Sequence, residues 1–207
     1  MLKLYRFALS GHCHRAELFI SLLQLPCELI DVDFAGGQHK RPEFLAMNAF
    51  GQIPVLVDGD IAIADSNAIL VYLASKHAQG QQVDWLPSDA LRQAKVQRWL
   101  SVAAGQIIYG PARARLKTVF DAPINVEEAV RISNELLAVM EKELGNTLFL
   151  AGQTPTIADV SAYSYIAHAP EGNVSLQPFP HVRAWLARIE ALPGFVPMQK
   201  SAVGLAA

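Results

Sequence analysis

Two short stretches of this chain hold residues whose types and spacing can do chemistry: Gly51-Gln52-Ile53-Pro54-Val55-Leu56 and Asp65-Ser66. Pro54 opens a β-prone run, and a proline cannot donate to a ladder, so it is expected at a strand start on an exposed sheet edge. With a cis Ile53–Pro54 bond, the N–H and C=O of Ile53 turn outward and pair with an extended peptide, as an added strand would. A proline that simply opens a strand gives the same residues. Asp65-Ser66 stands where a helix begins, and a helix start offers free N–H groups and partial positive charge to an anion. Ser66 can hold a carboxylate through its N–H and hydroxyl, and Asp65 can pair with the ammonium of the same amino-acid head group. Either residue alone reads as an ordinary N-cap. Occurring together, the two stretches favour ligand binding.

Further candidates surround them. Cys13 falls in the first turn of an expected helix, where the N-terminal dipole acidifies a thiol. His12 and His14 flank it, but residues two apart on a helix point to different sides, so no metal site is expected. There is no Cys-x-x-Cys pair and hence no autonomous dithiol cycle. Gln38-His39-Lys40-Arg41 is a basic run that by itself reads as a solvated loop.

The elements that must position these residues follow from hydrophobic period and breakers. Residues 2–7 alternate like a strand, and Ser10-Gly11 precedes Ala16, Phe19, Ile20 and Leu23 at helical spacing over 11–24. Pro26 stops that helix and residues 28–33 read as a second strand, which makes a parallel βαβ unit. A short helix over 42–47 follows. Residues 55–57 and 61–63 flank Asp58-Gly59, a hairpin signal, and the helix begun at Asp65-Ser66 runs out near residue 77. Residues 1–77 thus form an α/β domain, 78–88 a linker, and 89–207 an all-helical domain. Its helices are expected from 88 toward 120, bent at Gly105 and Gly110-Pro111; over 126–144; from Thr156-Ile157-Ala158-Asp159, a capping box, to about 168; and over 179–192, with a short tail helix after Phe195. Gln106, Tyr109 and Arg113 occupy successive turns of the long helix, either lining a pocket or forming a polar stripe. Trp99, Trp185 and Phe179 read as packing residues.

A net charge of −2 over 207 residues, with signs intermixed, supplies no field for gripping nucleic acid or anionic lipid. No apolar run reaches the roughly 18 residues of a membrane helix, and residues 1–6 lack a signal-peptide core. Two cysteines without a disulfide framework fit a reducing cytoplasm.

The stretches 51–56 and Asp65-Ser66-Asn67-Ala68-Ile69, with the later Thr156-Ile157-Ala158-Asp159, resemble the glutathione site and helical capping motif of cytosolic glutathione transferases. Bacterial members of the beta, theta, zeta and nu neighbourhood are the nearest likeness. The resemblance covers nearly the whole chain in order. It implies a thioredoxin-like N-terminal domain, an all-α C-terminal domain, and a transferase of alkyl or aryl groups that conjugates glutathione to a small hydrophobic electrophile in detoxification. By this likeness Ile53, after Pro54 turns it outward, pairs with the cysteinyl unit; Asp65 and Ser66 hold the γ-glutamyl end, Gln52 assists, and His39 or Lys40 reaches the glycyl carboxylate. The catalytic residue is Ser10, with Cys13 the alternative; Arg15-Ala16-Glu17-Leu18 sets that alignment. Gln106, Tyr109 and Arg113 would line the electrophile pocket. Glutathione is then a co-substrate, no tightly bound cofactor is needed, and a homodimer is implied. A glutathione-dependent disulfide or peroxide reductase, which uses the same bound thiolate or a mixed disulfide at Cys13, and a non-catalytic binding protein are the competing readings. The zeta pattern Ser-Ser-Cys-x-Trp-Arg is not matched by Ser10-Gly11-His12-Cys13-His14-Arg15, which disfavours an isomerase.

Overall fold

The computed structural model describes residues 1–78, 80 and 82–207, so Gln79 and Gln81 of the expected linker lie outside the described residues. The chain divides into two compact units, one of residues 1–81 with 192–199 and one of residues 82–191 with 200–207.

The first unit is built on a four-stranded sheet. β1 (Leu2–Arg6) buries Leu2 and Leu4 on one face and pairs in parallel with β2 (Cys27–Asp31), with Leu4 opposite Leu29. Between them runs α1 (Gly11–Leu22). A 3-10 turn at Gln38–Lys40 and α2 (Pro42–Met47) lead to β3 (Val55–Asp58), β4 (Ile61–Ala64) and α3 (Ser66–His77). Strand order is β2-β1-β3-β4, with both β1–β3 and β3–β4 antiparallel.

Three expectations need correction. β2 begins and ends earlier than residues 28–33, because Leu2 pairs with Cys27 and thereby fixes the register. The hairpin pairs Asp58 with Ile61, so its central residues are Gly59-Asp60 rather than Asp58-Gly59. Gly59 takes φ +61, the left-handed value that the first central position of a primed two-residue turn needs. β3 is an inner strand, flanked by β1 and β4, and not a sheet edge. Pro54 is tolerated because it precedes the first paired residue, Val55, and no ladder bond is asked of it.

α1 is buried nearly all round rather than along one stripe. Beyond Ala16, Phe19 and Ile20, it also buries Leu18, His14 and Arg15. Residues 192–199 account for part of this: Ser21 Oγ donates to Gly194 O (2.7 Å), and His14 Nε2 lies 2.9 Å from Val196 O. Gly194 takes φ +86, and a Cβ there would lie 2.7 Å from Ser21 O.

In the helical unit, α4 (Ala90–Ala104) stops at Gly105, a π-helical turn spans Ile108–Ala112, and α5 (Arg113–Phe120) follows. Both expected bends occur. Gly110 has non-helical angles, and a Cβ on it would meet Ser133 N at 3.1 Å on α6 (Val126–Leu144). Pro111 adds no N–H to the turn. α6 buries Ala129, Ser133, Leu136, Leu137, Met140 and Leu144, a helical stripe, as its pattern predicts. α7 (Ile157–Ala167) is buried through its whole length until Ala167. Its start is held by the capping box of Thr156 and Asp159. α8 (Pro180–Glu190) buries Val182, Trp185, Leu186 and Ile189, and its first N–H groups, of His181 and Val182, donate to Glu141 on α6 at 3.0 Å. Trp99 and Trp185 are core residues. The expected tail helix is only a 3-10 turn at Gly204–Ala206. The tail is pinned instead by buried Glu171, which accepts from Ser201 N–H (3.0 Å) and from Arg115 Nε (2.6 Å) and faces His168 Nδ1 at 2.6 Å.

Candidate active site

The β1–α1 loop delivers Ser10, whose extended backbone (φ −90°, ψ 119°) makes it the N-cap of α1. Its Oγ accepts from Cys13 N–H at 3.4 Å, a long bond that leaves the hydroxyl hydrogen uncommitted to that contact. Ser10 is half-buried. Cys13, by contrast, is 1% exposed, and its Sγ accepts from Phe7 N–H. Burial pushes its thiol up to about 11, overriding the hydrogen bonds from Ser10 and Phe7. The acidified thiol expected of a first-turn cysteine is therefore absent, because desolvation outweighs the helix dipole. Cys13→Ala should keep activity within about twofold of wild type, and a maleimide should label native Cys13 far more slowly than unfolded chain, since a buried neutral thiol is inert. Rapid labelling with loss of activity would return Cys13 to the candidates.

Ile53 precedes the ladder and is half-buried, packed against the cluster of Val32, Phe44 and Val55. The Ile53–Pro54 bond is cis. Among the described residues neither the N–H nor the C=O of Ile53 makes a hydrogen bond, so both are open to a ligand backbone. The neighbouring Gln52 is exposed, and its carbonyl accepts from Asn48 Nδ2 (2.8 Å), which fixes the approach to Ile53.

At the start of α3, Asp65 takes φ +72 and ψ 126, a positive-φ conformation that costs a non-glycine residue about 1–3 kcal/mol and gathers at functional sites. Its Oδ1 accepts from Asn67 N–H (2.8 Å) and Ala68 N–H (3.0 Å), while Oδ2 makes no hydrogen bond among the described residues. Capping thus uses one of the two carboxylate oxygens. Ser66 is buried, and its Oγ accepts from Arg15 Nη1 at 2.8 Å. Arg15 Nη1 also donates to Asn67 Oδ1 (2.9 Å), and His12 Nδ1 lies 3.3 Å from Ser66 Oγ. Arg15 and Asn67 were not foreseen as site residues. The signal was an arginine inside an apolar helical face next to Ala16, a position that only a buried partner would justify.

His39 is half-buried, with its ring stacked on Phe34 (centroids 3.9 Å apart, planes at 4°). Lys40 Nζ donates to Phe50 O (3.2 Å) and Gly51 O (3.0 Å). Two of its three N–H bonds therefore brace the loop that carries Gln52 and Ile53, and one is left for a ligand.

Gln106, Tyr109 and Arg113 do not lie on successive turns of one helix. Gln106 falls between α4 and the π-turn, Tyr109 within that turn, and Arg113 opens α5, because Gly105 and Gly110 break the helix. The Arg113 guanidinium lies 5.9 Å from the centre of the Tyr109 ring, and Gln106 and Tyr109 are exposed. Two hollows of about 210 and 570 Å³ on the helical unit, which share Lys95, Ala151 and Gly152, are lined by none of the three. Among the described residues no three His, Cys, Asp or Glu side chains are grouped to hold a metal, and no helix is long and apolar enough to cross a membrane.

Known proteins share this sequence pattern and fold. Residues 1–75 match the glutathione S-transferase N-terminal domain and residues 103–193 the glutathione S-transferase C-terminal domain. The chain is 36% identical to glutathione S-transferase 3 of Zea mays over 94% of its own length and 91% of that protein's. It is 32% identical to glutathione S-transferase theta-2 of Homo sapiens, over 93% and 82% respectively. The crystal structure of a glutathione S-transferase from Pseudomonas fluorescens superposes with a TM-score of 0.89 at 33% identity, covering 96% of this chain and 99% of that one. A thioredoxin-like unit and a helical unit of this order define a glutathione transferase fold. The chain belongs to the glutathione S-transferase family, and it is a transferase.

Proposed function

We propose that the protein conjugates the thiolate of glutathione to a small hydrophobic electrophile. The observation that carries this reading is the pair of unbonded backbone groups on Ile53, which suit the cysteinyl unit of an extended tripeptide. Ser66 and Asp65 at the start of α3 take the γ-glutamyl carboxylate and ammonium, and His39 or the remaining N–H of Lys40 takes the glycyl carboxylate, with Gln52 assisting. Ser10 at the cap of α1 donates its hydroxyl hydrogen to the sulfur, and the N–H groups and dipole of α1 add to the field there. Glutathione is a consumed co-substrate, and positioning plus stabilisation of one charged sulfur is the catalytic work.

In this reading the segment 1–77 binds glutathione, 78–88 links, and 89–207 supplies the second substrate site through Gln106, Tyr109 and Arg113. The family likeness further supports a homodimer that acts in the cytoplasm in detoxification. The burial of the Cys13 thiol favours conjugation over a reductase that works through Cys13.

The test is a titration of thiolate absorbance against pH with glutathione saturating the protein. The bound thiol should ionise about two pH units below free glutathione, which corresponds to roughly 2.7 kcal/mol favouring the thiolate. Binding with an unshifted thiol would identify a binding protein without turnover, and absence of binding would sink the assignment altogether.

A further inference from the structure

Among the described residues Ser66 Oγ has two polar side-chain neighbours, Arg15 Nη1 at 2.8 Å and His12 Nδ1 at 3.3 Å. A serine hydroxyl holds one proton and two lone pairs, and a guanidinium can only donate, so Arg15 fills one lone pair. The protonation of His12 Nδ1 decides the rest. If that nitrogen is bare, it takes the Ser66 proton, and the hydroxyl has none to offer a ligand. If it carries a hydrogen, it fills the second lone pair, and the only remaining direction for the Ser66 proton is toward the ligand.

We propose that His12 is a positioning residue whose Nδ1–H tautomer locks the Ser66 hydroxyl as a donor to the γ-glutamyl carboxylate of bound glutathione. This rests on the reading of Ser66 as a holder of that carboxylate. His12 stands two residues after Ser10 in the first turn of α1, so one helical turn presents both the sulfur-facing hydroxyl and the group that orients Ser66.

The charge state of His12 is consistent with this role. Burial, and secondarily the Arg15 guanidinium, push the imidazole down to about 3, so it is neutral at working pH. A neutral ring carries one hydrogen, and the partner of each nitrogen chooses where it sits. An anionic carboxylate accepting from Ser66 O–H polarises the oxygen and makes it a better acceptor for Nδ1–H. The chain then runs His12 Nδ1–H to Ser66 Oγ–H to carboxylate, and ligand and tautomer stabilise each other.

The experiment measures glutathione Kd at pH 7 for wild type, His12→Leu, His12→Asn, Ser66→Ala and the double variant His12→Leu/Ser66→Ala, alongside 15N-histidine NMR of the wild-type protein with and without glutathione. His12→Leu should weaken binding about fivefold, the scale of one neutral hydrogen bond, and His12→Asn, whose amide can supply the donor, should recover to within about twofold of wild type. The double variant should bind no more weakly than Ser66→Ala, since His12 acts only through Ser66. The NMR spectrum of the complex should show a protonated Nδ1 on His12. A bare Nδ1 in the complex, unchanged binding in His12→Leu, or full additivity in the double variant would overturn the proposal while Ser66→Ala still binds weakly. Unchanged binding in Ser66→Ala would instead overturn the assignment of Ser66 itself. The NMR reading decides the question should His12→Leu fail to fold.

Discussion

Ser10→Ala should bind glutathione almost as wild type does yet lose about 10- to 100-fold in kcat/KM toward an aryl halide. A hydrogen bond to a charged acceptor is worth about 1.5–3 kcal/mol, and 1.36 kcal/mol is a factor of ten, so on the proposed role of Ser10 removing its hydroxyl sets that range. The dipole and first N–H groups of α1 remain, which is why activity should fall rather than vanish. The acid limb of the kcat/KM profile should move up by about one to two pH units, because a larger share of bound thiol stays protonated until higher pH. Ser10 also caps α1, but through a 3.4 Å contact, so the stability loss should stay near the ~0.5 kcal/mol end of cap deletions. An unmoved pH profile with reduced activity would mean that Ser10 shapes the site without stabilising the thiolate.

The largest expected loss of stability belongs to a residue far from any chemistry assigned to the chain. Asp159 is fully buried, and its carboxylate accepts from Leu150 N–H (2.8 Å), Thr156 N–H (2.9 Å), Thr156 Oγ1 (3.4 Å) and Trp185 Nε1 (2.8 Å). It therefore ties the segment before α7, the α7 cap and α8 to one point. Asp159→Ala strands three buried N–H donors, each costing about 1–3 kcal/mol unsatisfied, so a loss of about 3–5 kcal/mol is expected. Against a typical stability of about 5–15 kcal/mol, that is enough to lower the urea midpoint severely or to prevent soluble expression. Asp159→Asn should fall between, since its carbonyl oxygen keeps Leu150 and Trp185 but its NH2 faces the donor of Thr156. A urea midpoint for Asp159→Ala equivalent to less than about 1 kcal/mol of loss would show that the hub is redundant.

What could be read from the sequence was whatever is encoded locally. The hairpin, the bends at Gly105 and Gly110 and the Thr156 cap all follow from residues within a turn or two of one another, and the parallel β1–β2 pair follows from the strand-helix-strand order. The Ile53-Pro54 and Asp65-Ser66 stretches were visible for the same reason. Strand neighbours were not: Pro54 suggested an edge, but whether β3 lies inside the sheet depends on β1 pairing with it across half the unit. Nor did any period announce that Arg15 reaches Ser66, 51 positions away, or that Lys40 spends two of its donors on the Phe50 and Gly51 carbonyls. The burial of Cys13 was not legible either: a helix dipole can be read from position alone, whereas the burial that opposes it depends on everything packed around α1.

Residues 192–199 belong with the sheet and not with the helices that precede them, and they satisfy Ser21 and His14 on α1. During synthesis the chain must therefore make the whole segment 82–191 before its first unit can be completed. At about 5–20 residues per second that is a wait on the order of ten seconds, during which part of α1 stands uncovered. The first unit is thus not a detachable cassette: a fragment cut after residue 81, or a gene fusion that swaps helical halves at that point, would leave behind the last piece of the unit it meant to carry.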